Sequence, residues 1–237
     1  MSSTTARAES LANLRDLGGL PTEDGRRTLP GVLWRSDAPL DGDGSTTQSG
    51  LPWPPPTVLD LRQPGELPGE HPLVARGAEV TSLPLFGALA PDARERGREE
   101  GIPLAELYLL LLDPDAAWLP DLFTVATRGP APILVHCAAG KDRTGIAVAV
   151  LLRAAGVTRA AVADDFAETN RRRRFLLDRL VAQGAVAEGT AADSVGVDPA
   201  HLEAVLDRLD DPWGVPRGAG VPEADLAAWR DRLLGAV

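Results

Sequence analysis

The sequence contains one cysteine and one lysine, and both lie in the segment HCAAGKDRTG at residues 136–145. A cysteine thiolate is a strong nucleophile. Arg143 follows Cys137 by six residues, and its planar guanidinium can hold two oxygens of one anion. This pair suits attack on a phosphate monoester, in which Cys137 takes the phosphoryl group and Arg143 stabilises the charge on its oxygens.

The flanking residues predict that this segment is an anion-binding loop. Residues 131–135 (APILV) predict a buried strand, and residues 145–155 (GIAVAVLLRAA) predict a helix that is buried on nearly all sides. Backbone N–H groups converge where a short loop joins a strand to a helix, and the helix dipole favours an anion there. Gly140 and Gly145 allow a close backbone approach. The same field favours the thiolate of Cys137.

Six residues are expected to bind the phosphate, and two neighbours are expected to assist. The six are Ala138, Ala139, Gly140, Lys141, Asp142 and Arg143. The hydroxyl of Thr144 can donate a hydrogen bond to the sulfur, and His136 should orient the loop rather than act as a base, since a thiolate needs none. The alternatives are a buried inert thiol for Cys137 and a structural salt bridge for Arg143.

The spacing His-Cys, five residues, Arg, then Thr resembles the signature of the protein tyrosine phosphatase superfamily. With Lys141 and Asp142 before the arginine, it is similar to the atypical, lipid-phosphatase-like tyrosine phosphatases of bacteria, a family with a secreted mycobacterial member. The segments NLRDLGGL (13–20), LWRSDAPL (33–40) and VLDLRQPGE (58–66) resemble that family too. The resemblance covers roughly residues 11–235, with weak matches between 86 and 130.

The resemblance implies a two-step reaction, in which a phosphocysteine forms on Cys137 and water then hydrolyses it. It implies Asp142 as the general acid, with Asp60 and Asp92 as alternatives. The structural alternative for Asp142 is a carboxylate that shapes the loop by accepting hydrogen bonds from nearby N–H groups. It also implies that Lys141 contacts a second phosphate, so that phosphoinositides are expected substrates beside phosphotyrosine and phosphoserine or phosphothreonine. Neither a metal nor another cofactor is expected.

Other charged residues are ambiguous in the sequence. Asp60 and Arg62 end a predicted strand, where they would pair with each other, support the loop or touch substrate. The run Arg171–Arg174 would attract an anionic lipid or phosphopeptide, or else form a solvated helix face. His71 and His201 have no metal-like partners nearby in sequence, and we expect ordinary surface residues there.

The composition limits the class of protein. Of 237 residues, 44% are hydrophobic, which is enough for a core, and the net charge of −10 disfavours nucleic acid as a partner. The longest apolar runs, 107–112 and 146–152, are too short for stable membrane insertion. The first ten residues lack the apolar stretch of a secretion signal. We expect a cytoplasmic protein without an obligate partner, and export without such a signal stays open.

The pattern along the chain predicts an α/β fold, with a central mixed, largely parallel sheet flanked by helices. Residues 1–10 are expected to be disordered and 11–237 to form one domain. Residues 13–20 and 31–35 predict a hairpin, and a flap or lid is expected within 86–113. Further strands are predicted at 57–61 and 79–84, and helices at 104–112, 115–127, 160–170, 171–183, 199–209 and 222–234.

Three other functions compete with the phosphatase interpretation. A phosphate-binding sensor or adaptor with little turnover would keep the fold but has no need of an activated thiolate. A sulfurtransferase would also use a loop cysteine. An arsenate reductase generally needs further cysteines to resolve its intermediate, and this chain has none besides Cys137.

Overall fold

A computed structural model describes residues 11–43, 53–66, 69–85, 101–113 and 117–236. The prediction of a disordered segment at 1–10 lies outside these residues, as do Asp92 and the part of the predicted flap or lid (86–113) before residue 101. The single-domain prediction likewise stays a prediction. Among the helices described, none is both long and apolar enough to cross a membrane.

The described residues contain one sheet of five strands in the order β1-β2-β5-β3-β4. The strands are β1 (Arg15–Asp16), β2 (Leu33–Ser36), β3 (Thr57–Asp60), β4 (Glu79–Ser82) and β5 (Ile133–His136). β1 runs antiparallel to β2, which confirms the predicted hairpin, and the other pairs are parallel. The sheet is therefore mixed and largely parallel, as predicted.

The register brings the ends of three strands together. His136 of β5 pairs with Ser36 of β2 on one side and with Asp60 of β3 on the other. All residues of these three strands are buried, which is typical of parallel strands covered on both faces. In such sheets a ligand binds beyond the carboxyl ends of the strands, and the HCAAGKDRTG segment begins at that edge.

Seven α-helices lie within the described residues. They are α1 (Leu104–Leu110), α2 (Trp118–Arg128), α3 (Asp142–Ala154), α4 (Arg159–Ala182), α5 (Ala200–Arg208), α6 (Gly214–Gly218) and α7 (Glu223–Leu234). Every residue of α3 is buried, as its apolar sequence predicts. It packs against β2, β5 and the helices α4, α5 and α7, so it forms the centre of the core.

Three helix predictions need correction. The two helices predicted at 160–170 and 171–183 are the single helix α4, because no glycine or proline interrupts the chain between them. Thr158 caps its start by accepting a hydrogen bond from the N–H of Ala161. α3 begins at Asp142, three residues before the predicted start, since its first turn consists of polar residues that resemble a loop. α6 was not predicted because glycine and proline dominate it.

Candidate active site

The segment after β5 curls with its carbonyl groups turned toward the protein framework. The carbonyl of Ala138 accepts a hydrogen bond from the N–H of Ala38 (3.0 Å). The carbonyl of Gly140 accepts from the Asn13 side chain (2.9 Å) and from Arg35 Nη2 (2.8 Å). In a trans peptide unit the N–H points opposite to the C=O. The N–H groups of Ala139 and Lys141 therefore point away from the framework, toward the inner side of the loop, which is the arrangement that an oxyanion needs.

Gly140 can be no other residue in this loop. Its φ of +65° lies in the left-handed region, and an added Cβ would stand 2.2 Å from the carbonyl oxygen of Ser36. The loop thus passes directly over the end of β2. Cys137 lies just before this turn and only 3% of it is exposed, while Ala138 and Ala139 are half-buried.

Two buried ion-pair groups hold the framework that binds the loop. Asp165 of α4 accepts from Arg15 (2.6 Å) and from Arg35 (2.5 Å). Burial raises the pKa of Asp165, but the charges of the two guanidinium groups outweigh it, so the pKa is below its usual range. Arg179, also on α4, pairs with Asp37 (2.6 Å) and Asp43 (2.8 Å). The β1–β2 hairpin is thereby fixed to α4.

The sequence contains a signal for these framework residues, which are not among the candidate residues named from the sequence. The motifs NLRD and WRSD place Arg35 and Asp37 within and just after a strand that is otherwise apolar. Charged residues are almost never fully buried unless they are paired. A charged pair at a buried strand end therefore predicts a partner across the fold, although the sequence cannot say which one.

Arg143 forms a two-pronged salt bridge with Glu66, a residue that the sequence analysis did not single out. Arg143 Nη1 lies 2.5 Å from Glu66 Oε2, and Nη2 lies 2.7 Å from Oε1. Nη1 also approaches the carbonyl of Leu61 (3.4 Å). Burial lowers the pKa of Arg143, but Glu66 raises it by more, so the guanidinium stays charged. The salt bridge named as the alternative for Arg143 is thus present, and its phosphate-binding role stays a prediction.

This salt bridge leaves one edge of the guanidinium for a ligand. Within the described part of the chain, the hydrogen bonds of Arg143 to Glu66 and Leu61 use Nη1 and one hydrogen of Nη2. Arginine has five N–H donors in a fixed fork, so Nε–H and the second Nη2–H remain on the adjacent edge. Arg143 can thus be fixed by Glu66 and still hold two phosphate oxygens.

Asp142, the first residue of α3, accepts a hydrogen bond from the hydroxyl of Tyr108 on α1. Lys141 Nζ lies 4.0 Å from its other carboxylate oxygen. Both Lys141 and Asp142 are buried. The ring of Tyr108 meets the edges of Phe166 and His201, with ring centroids 6.5 and 6.4 Å apart. α1 therefore supports the start of α3 through the only tyrosine in the chain.

A cavity of about 350 Å³ lies beside this contact. Tyr108, Asp142, Arg173 and His201 contribute to its lining. His201 is half-buried and lies against Tyr108, so the prediction of an ordinary surface residue is corrected there. The cavity opens a space next to Asp142 that a leaving group or a substrate side chain can enter.

The arginine run on α4 forms ion pairs along the helix surface. Arg171 and Arg172 both pair with Glu168, at 2.6 and 3.6 Å. Arg173 pairs with Asp193 at 3.0 Å. These pairs support the interpretation as a solvated helix face, and attraction of a lipid or phosphopeptide stays a prediction.

Asp60 and Arg62 pair with each other, as one of the sequence alternatives proposed. Arg62 Nε lies 2.9 and 3.1 Å from the two oxygens of Asp60, and Nη2 lies 2.7 Å from Oδ2. Burial raises the pKa of Asp60, but nearby His136 and Arg62 outweigh it and the net pKa is lowered. A carboxylate held in this way is a poor proton donor, so Asp60 is the weaker candidate for the general acid.

His71 is buried rather than exposed, which corrects the sequence prediction. Only 5% of it is exposed, and its Nε2 lies 3.0 Å from Nε2 of His136. His136 Nε2 lies 3.8 Å from Asp60 Oδ1. The contact joins residues 65 positions apart, so no local pattern in the sequence shows it.

Thr144 is fully buried, and its hydroxyl has no hydrogen-bond partner among the residues that the structure describes. The expected bond to the Cys137 sulfur is therefore not formed in this conformation. An unpaired buried hydroxyl costs free energy. The Thr144 hydroxyl is thus a hydrogen-bond donor at the start of α3 that can bind a negative charge in the loop.

Known proteins resemble this chain along most of its length. A model of the tyrosine phosphatase family matches residues 6–235. The triple specificity protein phosphatase PtpB of Mycobacterium tuberculosis is 30% identical over 277 residues, which cover 94% of this chain and 96% of that protein. A protein of Cupriavidus necator, named as a candidate tyrosine-protein phosphatase, is 28% identical over 217 residues, 87% of this chain and 79% of its own.

Proposed function

Because the chain belongs to the tyrosine phosphatase family, we propose that this hydrolase cleaves phosphate monoesters through a phosphocysteine on Cys137. The observation that carries the proposal is the loop itself. The carbonyls of Ala138 and Gly140 bind the framework, so the N–H groups of Ala139 and Lys141 point inward, and one edge of Arg143 is left for an anion. A cysteine placed within such a loop is next to any phosphate that binds there.

In the first step, the Cys137 thiolate attacks phosphorus, and the bond from phosphorus to the ester oxygen breaks. Loop N–H groups and the Nε and Nη2 hydrogens of Arg143 hold the other oxygens. Asp142 gives its proton to the departing oxygen. In the second step, water attacks the phosphocysteine, Asp142 takes the proton of the water, and the thiolate leaves. Thr144 would then donate its unpaired hydroxyl to the sulfur as negative charge returns.

The position of Asp142 supports its role as the general acid. It is the first residue of α3, it lines the cavity, and one of its oxygens accepts the Tyr108 hydroxyl. Its carboxyl group thus lies where a leaving oxygen in the cavity can receive its proton. His136 supports the loop through its contact with the carbonyl of Cys137 (3.2 Å).

The proposed substrates are phosphoproteins carrying phosphotyrosine, with phosphoserine, phosphothreonine and phosphoinositides as further candidates. Cys137 is almost fully buried, so a long aryl phosphate reaches it more easily than a short side chain. The name of the triple specificity relative supports a wider range. Lys141 would assist a second phosphate only if it moves, because 5% of it is exposed. We further propose that the protein acts in the cytoplasm. Its residues 11–237 would form a single catalytic domain.

The test is a phosphate-release panel at pH 5–8 without added metal. It compares a phosphotyrosine peptide, a phosphoserine peptide and a short-chain phosphoinositide, for the protein and for Cys137→Ser. We expect release that Cys137→Ser abolishes while phosphate binding persists. Substantial activity in the variant would refute the nucleophile. A folded protein that binds phosphate but releases none would favour the sensor alternative.

A further inference from the structure

A chain of hydrogen bonds links the backbone N–H of Leu73, outside the loop, to the backbone carbonyl of Cys137. The N–H of Leu73 donates to His71 Nδ1 (3.2 Å), and His71 Nε2 meets His136 Nε2 (3.0 Å). His136 Nδ1 meets the carbonyl oxygen of Cys137 (3.2 Å). Both rings are buried and tilted by 47° to each other. The chain starts at a turn that follows β3 and ends at the reactive residue.

The two ends of this chain determine where the protons are. A backbone N–H can only donate, so Nδ1 of His71 carries a lone pair and its Nε2 carries the hydrogen. A carbonyl can only accept, so Nδ1 of His136 carries the hydrogen and its Nε2 carries a lone pair. The Nε2–H of His71 therefore donates to Nε2 of His136. All bonds are satisfied only when both rings are neutral and in opposite tautomers.

The same residues must be tested as a metal site, because Asp60, His71 and His136 have ligand atoms within 4.8 Å of one another. Two histidines and a carboxylate are ligands that zinc accepts. A metal on Nε2 of His71 would require its hydrogen on Nδ1, where the N–H of Leu73 already points. The guanidinium of Arg62 also occupies both oxygens of Asp60. The hydrogen-bond chain fits these contacts and the metal does not.

We propose that His71 is a positioning residue for the nucleophile: it holds His136 in the tautomer that binds the carbonyl of Cys137. Fixing that carbonyl turns the N–H of Ala138 to the opposite side, which is the inner side of the loop. The same contact therefore orients both the N–H of Ala138 toward the phosphate site and the side chain of Cys137. This inference rests on the proposed role of Cys137 as the nucleophile.

The surroundings keep both rings neutral. Burial lowers the pKa of His136 to about 4, although the nearby Asp60 carboxylate raises it, and the charge of Arg62 lowers it further. Burial also lowers the pKa of His71. Protonation of either ring would place one N–H against another, at Leu73 or between the rings. Neutral rings are thus a condition for the chain of bonds.

The direct test is a nitrogen-15 NMR spectrum of the protein with labelled histidine at pH 7.5. The chain has three histidines, so the signals can be assigned with single variants. We expect His71 as the Nε2–H tautomer, His136 as the Nδ1–H tautomer, and a coupling across the hydrogen bond between their Nε2 atoms. An Nδ1–H tautomer for His71 would overturn the proposal, and a shift of both signals on adding zinc would favour the metal site. This readout does not depend on catalysis.

The functional test compares His71→Phe, which removes the donor, with His71→Gln, which retains one near the Nε2 position. We expect His71→Phe to lower kcat by about tenfold with KM nearly unchanged, and to slow alkylation of Cys137, the only cysteine. His71→Gln should restore most of both rates. The control is Trp213→Phe, which removes a hydrogen bond to Ala154 (2.9 Å) at the far end of α3. Equal losses in His71→Phe and His71→Gln would refute the positioning role.

Discussion

At the scale of single residues, three side chains of the candidate site depend on partners distant in sequence. Glu66 fixes Arg143, Tyr108 fixes Asp142, and His71 contacts His136. The HCAAGKDRTG motif predicts the reacting residues because the motif itself forms the loop. It cannot predict these three partners, which lie 34 to 77 positions away and reach the loop only through the fold.

The contact between Glu66 and Arg143 predicts a specific loss of activity in Glu66→Gln. Glutamine has one carbonyl oxygen and no charge, so the guanidinium loses its two-pronged anchor and its aim at the phosphate. We expect kcat/KM for a phosphotyrosine peptide to fall by about tenfold. Glu23→Gln is the matched control, because Glu23 pairs with Arg153 at the other end of α3. Unchanged kinetics in Glu66→Gln would mean that Arg143 is positioned without this carboxylate.

The general acid can be tested through the leaving group. Asp142→Asn retains an acceptor for Tyr108 but cannot give up a proton. We expect it to slow aryl phosphates with poor leaving groups more than those with good ones, in steady-state rates. Tyr108→Phe, which keeps the carboxyl group, should slow both classes alike. Equal slowing by Asp142→Asn would place the acid on another residue.

At the scale of elements, the apolar patterns predict the sheet and the buried helix because those elements are fixed by burial. β5 and α3 are short apolar runs with a loop between them, and the structure has them where the sequence places them within a few residues. The helix break predicted near Arg171 is wrong. The run of basic residues resembles a helix end, but Arg171 and Arg172 pair with Glu168 on the preceding turn, which stabilises a continuous α4. The sequence does not predict α6, because its five residues show no helical spacing of apolar residues and the helix depends on packing.

The close contact between α3 and α4 explains a glycine that the motif also contains. An added Cβ at Gly145 would stand 2.6 Å from the ring of Phe166. Phe166 directly follows Asp165, which binds Arg35 and through it the carbonyl of Gly140. The spacing of these two helices is therefore linked to the shape of the loop, and the two glycines of the motif serve the fold as well as the ligand.

At the scale of the whole molecule, the buried histidines predict how stability depends on pH. The pKa of His136 is about 4 and that of His71 is lowered, while an unfolded histidine titrates near 6.5. Between these values the unfolded chain binds more protons, so stability falls as pH decreases. The groups facing His136 are Asp60, Arg62 and His71, and the pKa of Asp60 is itself lowered, so its carboxylate stays charged throughout this range.

We expect the free energy of unfolding to decrease by about 1 kcal/mol from His136 between pH 7.5 and 5.5, with a further decrease in the same direction from His71. Urea unfolding at the two pH values measures it. The decrease should be smaller in His71→Phe, which has one fewer such group, than in Trp213→Phe. A stability that does not change over this range would show that the folded rings take up protons as readily as those of the unfolded chain.

The central place of β5 has a consequence for local opening of the molecule. β5 is hydrogen-bonded to β2 on one side and to β3 on the other, while β1 and β4 form the outer edges of the sheet. Fraying that begins at an edge must pass through a whole neighbouring strand before it reaches His136. The nucleophile therefore belongs to the slowest-opening part of the chain, and the residues that support it from the outer strands are exposed to water first.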